Sequence, residues 1–252
     1  MNIHRFFGLW CIFLVLVLAA CASANSEQRK KEAEASRNLG EAYLNERKYT
    51  LALKNLLKAE ALNPDDPYLQ NDLGLVYMHK GKYDQAIRHF KKALDLKPDY
   101  GPAMNNLGNA YFAQKRWDSA IEYYTKATDN VLYATPHYPQ SNLGGVYYEK
   151  KDYKRSEQYY LKALDIKPDF VVALRGIART YLAQGRVQEA IVKLEKALTI
   201  APDQPLLYHD IGKAYQLAGD YNSARHAYEK VIELAPGSPV ADEAQLALQK
   251  LK

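Results

Sequence analysis

The sequence predicts an all-α fold of stacked helical hairpins, and three observations carry that reading. A set of landmarks returns every 34 residues, with Gly40, Gly74 and Gly108 at one phase. Within a unit the landmarks keep helical spacing: in PYLQNDLGLVYMHKGKYDQAIRHFKKALDLKPDY, residues 67–100, they are Leu73, Gly74, Tyr77, Ala86 and Phe90, placed where two short helices meet. Most units close on a proline, here Pro98, which stops the second helix. A glycine inside a helix costs about 1 kcal/mol relative to alanine, so its return at one phase marks a contact too close for a β-carbon. One such hairpin cannot bury its own apolar faces and must stack on copies of itself.

The chain starts differently. Residues 1–20 combine a positive start at Arg5 with an apolar run from Phe6 to Ala20, too short for a span of about 20 residues and laid out like a secretory leader. Leu18-Ala19-Ala20-Cys21 resembles the bacterial lipobox at all four positions. By that resemblance Cys21 becomes the first mature residue and carries a diacylglyceryl group and a third acyl chain of the palmitate type. At about 0.8 kcal/mol per buried CH₂, several chains make release from a membrane negligible. Cys11 falls in the removed leader, so the mature domain would hold no other thiol, which suits an oxidising periplasm. Ala22 rather than Asp after the cysteine favours the outer membrane over inner-membrane retention.

Residues 21–32 read as the lipidated cysteine and a tether, the polar stretch ASANSEQRKKE from Ala22 to Glu32. Repeats then follow at 33–66, 67–100, 101–136, 137–170, 171–204 and 205–238. The first holds Leu39, Gly40, Tyr43, Ala52, Leu56 and Pro64; the third lacks its closing proline and ends in an inserted Leu132-Tyr133-Ala134-Thr135-Pro136. In the fourth, Ser156 replaces the usual alanine, and in the fifth Ala178 takes the glycine position, where one methyl group should be tolerated. The sixth carries Ile211, Gly212, Tyr215, Ala224, Tyr228 and Pro236. Residues 239–252 form a final helix with Ser238 as cap, Pro239 at its first position, and a stripe of Val240, Ala244, Ala247, Leu248 and Leu251 to cover the last repeat.

These landmarks resemble the tetratricopeptide repeat, which implies a right-handed superhelix of six repeats plus a C-terminal capping helix. Chemistry for an enzyme is missing from the sequence. The six histidines show no zinc spacing, there is no Cys-x-x-Cys, and no Gly-x-Ser-x-Gly or phosphate loop occurs, so no metal, cofactor or catalytic residue is expected beyond the lipid on Cys21. With 25% charged residues and a net charge of +5 spread among acidic neighbours, no basic stripe points to nucleic acid. No small-molecule substrate is implied.

In the repeat family the concave face is exposed at positions 2, 5, 9, 12 and 13. Those positions here give Tyr68, Asn71, Leu75, Met78, Asn105, Asn109, Phe112, Ser141 and Tyr148, apolar groups interleaved with amides that suit a bound peptide. Repeats five and six give Arg175, Arg179, His209 and Lys213, with positions 5 and 9 one turn apart on a shared face. That basic set suits an acidic segment or carboxylate, and equally a solvated rim. Asn109 and Asn142 match two positions of the carboxylate clamp of chaperone-binding repeat domains, but the clamp lysines are missing.

Lipobox, six repeats and the Leu132–Pro136 insertion together resemble the type IV pilus biogenesis and stability lipoproteins, the PilF/PilW-type pilotins. That resemblance implies a non-enzymatic lipoprotein on the periplasmic face of the outer membrane, held by its lipid, that binds secretin subunits and supports their localisation and assembly. A periplasmic adaptor for another envelope machine, such as peptidoglycan synthases and hydrolases, has the same requirements.

Overall fold

The structure is a computed structural model and describes residues 26–251. The expected leader, the lipobox and Cys21 lie outside that range. Among the described residues there are helices and turns and no strand. The chain divides into two compact units, one ending at Ala110 and one beginning at Tyr111.

The first unit holds α1 (residues 26–45), α2 (Tyr49–Leu62), α3 (Pro67–His79), α4 (Tyr83–Leu96) and the first ten residues of α5 (Gly101–Ala113). Residues 26–32, expected as a tether, are helical and extend α1 backwards. Low hydropathy does not forbid a helix when the residues are good helix formers: Gln28 donates to Glu32 at 3.2 Å and Lys31 faces Glu27 at 3.9 Å, both one turn apart. Asp66 caps α3 by accepting from the Tyr68 amide at 2.8 Å, and Pro67 fills the first helical position, where its missing N–H costs nothing. The core is the landmark set: Ala52, Leu56, Leu73, Ala86 and Phe90 are fully buried. A β-carbon on Gly74 would lie 2.4 Å from the Phe90 ring, which is the close approach the periodic glycine signals. Gln70, also fully buried, clips three helices together: its amide donates to Pro64 O on the α2–α3 turn at 2.8 Å and to Glu60 of α2 at 3.1 Å, and its oxygen lies 2.7 Å from His89 Nδ1 of α4.

The second unit runs through α6 (Trp117–Asp129), α7 (His137–Glu149), α8 (Tyr153–Ile166), α9 (Val171–Ala183), α10 (Val187–Ile200), α11 (Pro205–Ala218), α12 (Tyr221–Leu234) and α13 (Pro239–Lys250). The Tyr160 ring sits between α7 and α9: β-carbons on Gly144 and Gly176 would stand 2.9 and 2.3 Å from it. Ser156, at the alanine position, uses its hydroxyl. It donates to Gly144 O at 2.9 Å and lies 2.9 Å from Thr180 Oγ1, which donates to Gly176 O, so a buried polar link joins the fourth and fifth repeats with each hydroxyl satisfied. Ala178 is fully buried beside Leu194 in one core cluster. The last helix opens on Ser238, whose hydroxyl accepts from the Ala241 amide, and its Ala244 and Leu251 bury against Ala224, Tyr228 and Val231 of α12.

One periodic feature lies in the turns. Position 15 of every repeat is left-handed: Gly81, Gly185 and Gly219 have φ of 69°, 77° and 81°, while Arg47, Lys115 and Lys151 are held at 58–59°. Each basic residue there costs about 1–2 kcal/mol relative to an unstrained backbone, which the surrounding hairpin offsets.

A candidate interaction cleft and its neighbours

In the first unit the expected groove residues do not form one open surface. Asn71 and Asn105 are 5% and 8% exposed, too buried to meet a partner. The reason is their length and phase: a short amide at position 5 stays between stacked helices, and Asn71 accepts a 2.9 Å hydrogen bond from Asn106 of the next repeat. Leu75, Met78 and Asn109 are half-buried. Tyr68 is exposed but engaged: Lys97 donates to its hydroxyl at 2.9 Å, Tyr100 meets its ring edge-on at 5.2 Å, and Arg37 lies 5.6 Å from the ring centre. Arg37 in turn reaches Asp66 at 3.2 Å.

Asp72, at the next position of α3, belongs to the same cluster and had no sequence signal. Burial first, then the charge of Glu41, pushes its carboxyl up to about 7 against the pull of Arg37 and a hydrogen bond from Asn71. A folded pKa above the ordinary 3.8 means that the native state holds the extra proton between about pH 4 and 7, so stability falls as pH rises through that window, by at most about 1.4 kcal/mol per pH unit. Asp72→Asn should therefore raise the Tm more at pH 8 than at pH 5. Thermal unfolding at the two pH values checks it, and an equal shift at both would place the carboxylate in water.

In the second unit the outcome is different. Tyr148, Arg175, Arg179, His209 and Lys213 converge on one cleft of about 650 Å³ between α9, α11 and α13, with Leu182, Leu206, Leu217, Pro239 and Val240 as apolar wall. Five of the sequence-derived residues thus meet. Ser141, only 3% exposed, is buried away from any ligand, and Phe112 is half-buried with its ring edge-on to Trp117 at 5.3 Å.

The cleft is less uniformly basic than the sequence suggests. Arg175 Nε donates to Asp210 at 2.5 Å, and His209 faces Glu243 of the last helix at 3.5 Å. Burial alone would raise the Asp210 carboxyl, but the His209 ring at 3.7 Å, the hydrogen bond from Arg175 and the charges of Arg175 and Arg179 outweigh it and hold the group below its ordinary value. Arg175 is therefore committed to an internal partner. Arg179 and Lys213 are exposed; the Arg179 guanidinium lies 4.9 Å from the Tyr148 ring centre, a cation–π contact that fixes it at the cleft. The site presents two cations beside an aliphatic wall, suited to an acidic and partly apolar peptide. A second exposed feature is the insertion before α7, where Val131 and Leu132 are 98% and 79% exposed on a turn closed by Leu132 N donating to Asn130 Oδ1 at 2.9 Å.

Profiles of the tetratricopeptide repeat match residues 65–132, 135–203 and 169–236, and a TPR repeat profile matches 40–81. The chain belongs to the tetratricopeptide-repeat family. Its fold is accordingly all-α, and a protein-interaction scaffold is what such repeats build. No curated protein matches the sequence. Among solved structures, PilF of Pseudomonas aeruginosa is 20% identical with a TM-score of 0.73, covering 87% of this chain and 99% of its own. PilW, a type IV pilus biogenesis factor, is 21% identical with a TM-score of 0.77, covering 84% and 98%. A chain of the APC/C hetero-tetramer Cut9–Hcn1 reaches the same TM-score at 18% identity, but only 43% of that chain is covered. At these identities the likeness shows the fold.

Proposed function

We propose that this chain is a pilotin-like lipoprotein of the outer membrane, non-enzymatic, anchored through acyl groups on Cys21, that binds secretin subunits and supports assembly of the type IV pilus secretin. The observation that carries this reading is the near end-to-end correspondence with PilF and PilW, whose chains are covered to 99% and 98%, in a sequence that also carries a full lipobox at Leu18–Cys21. The cleft at Arg179 and Lys213 supplies the surface such a role requires, and its charge fits an acidic segment of the partner.

The experiment has two parts. In a deletion strain the detergent-resistant secretin multimers should disappear and return with the parental gene, while Cys21→Ser should lose lipid label and leave the outer-membrane fraction. Intact multimers in the deletion strain would remove the pilotin reading, and capture of peptidoglycan synthases or hydrolases by crosslinking would put the adaptor in its place. Reversing Arg179 and Lys213 to Glu should slow association with the captured partner and flatten its salt dependence, because exposed charges steer encounters over about 8–10 Å. Truncating Leu206 and Leu217 should instead speed dissociation. Binding kinetics at low and high salt separate the two effects.

A further inference from the structure

The ring of the tyrosine at position 11 of each repeat is met by a ring or a cation on its own chain, except in the last. His89 stacks on Tyr77 at 5.2 Å, Tyr123 on Tyr111 at 5.6 Å and Tyr159 on Tyr147 at 5.3 Å. Arginines lie over three of these rings: Arg116 at 4.5 Å from Tyr111, Arg155 at 4.7 Å from Tyr147 and Arg186 at 4.0 Å from Tyr181. Over Tyr215 of α11, among the described residues, there is neither ring nor cation. The sequence explains the gap. Positions 16, 19 and 23, which supply Arg116 and Arg186, Arg155, and the rings of His89, Tyr123 and Tyr159, are Asp220, Ser223 and Ala227 in the sixth repeat.

What remains is an open cleft of about 670 Å³ between α10, α11 and α12, walled by Leu198, Ile211 and Ala227 and lined by Tyr208, Tyr215, Glu195 and His226. The Tyr215 hydroxyl donates to Glu195 at 2.9 Å. Burial first, then the hydrogen bond to Glu195 and the negative charges of Glu195 and Asp220, pushes the phenol up to about 12. An aromatic ring beside a carboxylate, with an aliphatic wall at the depth of a long side-chain stem, is a receptor for a cation.

We propose that this cleft takes an arginine side chain from a protein partner, its guanidinium against Tyr215 and Glu195 and its methylenes against Leu198 and Ile211. The chain already builds this arrangement for itself one repeat earlier, where Arg186 lies on Tyr181 and its Nη1 donates to Glu157 at 2.7 Å. A planar guanidinium satisfies ring and carboxylate together, which a lysine ammonium does with one group only. The site lies on the other side of α11 from the basic cleft and takes the opposite charge, and it does not depend on the pilotin reading.

The test uses the purified protein with labelled leucine and isoleucine methyls, titrated with N-acetyl-arginine amide, its uncharged isostere N-acetyl-citrulline amide, and N-acetyl-phenylalanine amide. The arginine compound should give saturable shifts at Leu198 and Ile211, and the other two much weaker ones. Glu195→Gln should weaken binding about fivefold, the size of one exposed charge contact. Ala227→Tyr should install the ring that the third and fourth repeats carry and abolish binding with an unchanged circular dichroism spectrum; if that variant does not fold, the Glu195→Gln titration decides. Equal binding of citrulline, tighter binding of phenylalanine, or arginine binding that is unaffected by Glu195→Gln would overturn the proposal.

Discussion

Gly74→Ala should destabilise the protein by about 1–3 kcal/mol, although alanine is the better helix former by about 1 kcal/mol. The added β-carbon would come within 2.4–2.8 Å of three atoms of the Phe90 ring, and that ring is fully buried, so it moves only by displacing close-packed neighbours. Gly145 provides the control on the same kind of helix. A β-carbon there meets only the Tyr160 hydroxyl at 3.6 Å, an ordinary contact, so Gly145→Ala should be neutral or stabilising by up to about 1 kcal/mol. The fifth repeat carries alanine at 178 with Leu194 in the same buried cluster, where the second repeat has glycine and Phe90. Gly74→Ala with Phe90→Leu should therefore recover part of the loss, which makes the pair non-additive. Urea unfolding of the four variants decides it, and equal midpoints for Gly74→Ala and Gly145→Ala would mean that the periodic glycine is not a packing contact.

The repeat register was legible because each landmark is a packing residue. Ala52, Ala86, Ala120, Ala190 and Ala224, read from one phase of the sequence, are all fully buried. The concave face was legible only in part. Position 5 holds a buried asparagine or serine in the second to fourth repeats and a long arginine or a histidine in the fifth and sixth; only the longer side chains reach the cleft, and periodicity does not register reach. The charge of the cleft was legible only in part, for another reason. Glu243 comes from the capping helix, 34 positions beyond His209, and Asp210 shares its helix with the histidine, so the neutralising acids appear only once α9, α11 and α13 are packed. The left-handed turns leave no uniform mark in the sequence because Arg47, Lys115 and Lys151 occupy three of them without the glycine that signals such a backbone. The missing ring at Ala227 was in plain sight, but an absence at one phase gains meaning only when the structure shows what fills that phase elsewhere.

Arg175→Met should cost about 2–4 kcal/mol at neutral pH, more than the loss of an exposed charge, because it strands Asp210. Asp210 as a residue is 8% exposed, and Arg175 supplies both its shortest hydrogen bond and a direct opposing charge; His209, at 3.7 Å, is charged only when protonated. Removing both partners should cost much less than removing one: Arg175→Met with Asp210→Leu leaves neither a buried charge nor an unpaired donor, and the coupling between the two substitutions should exceed about 1 kcal/mol. The pH dependence carries a separate sign. A folded pKa below 3.8 means that Asp210 stabilises the native state above the ordinary carboxylate range, and that this contribution is lost as pH falls through the folded value. The stability gap between the parent and Arg175→Met should accordingly be widest near neutrality and narrow as pH falls through the folded value, below which Asp210 is protonated in both. Denaturant unfolding at neutral pH and at a series of acid pH values measures it. A gap that stays constant down to acid would assign the cost to lost packing of the arginine stem rather than to the ion pair, and would return Arg175 to the set of cations available for a partner.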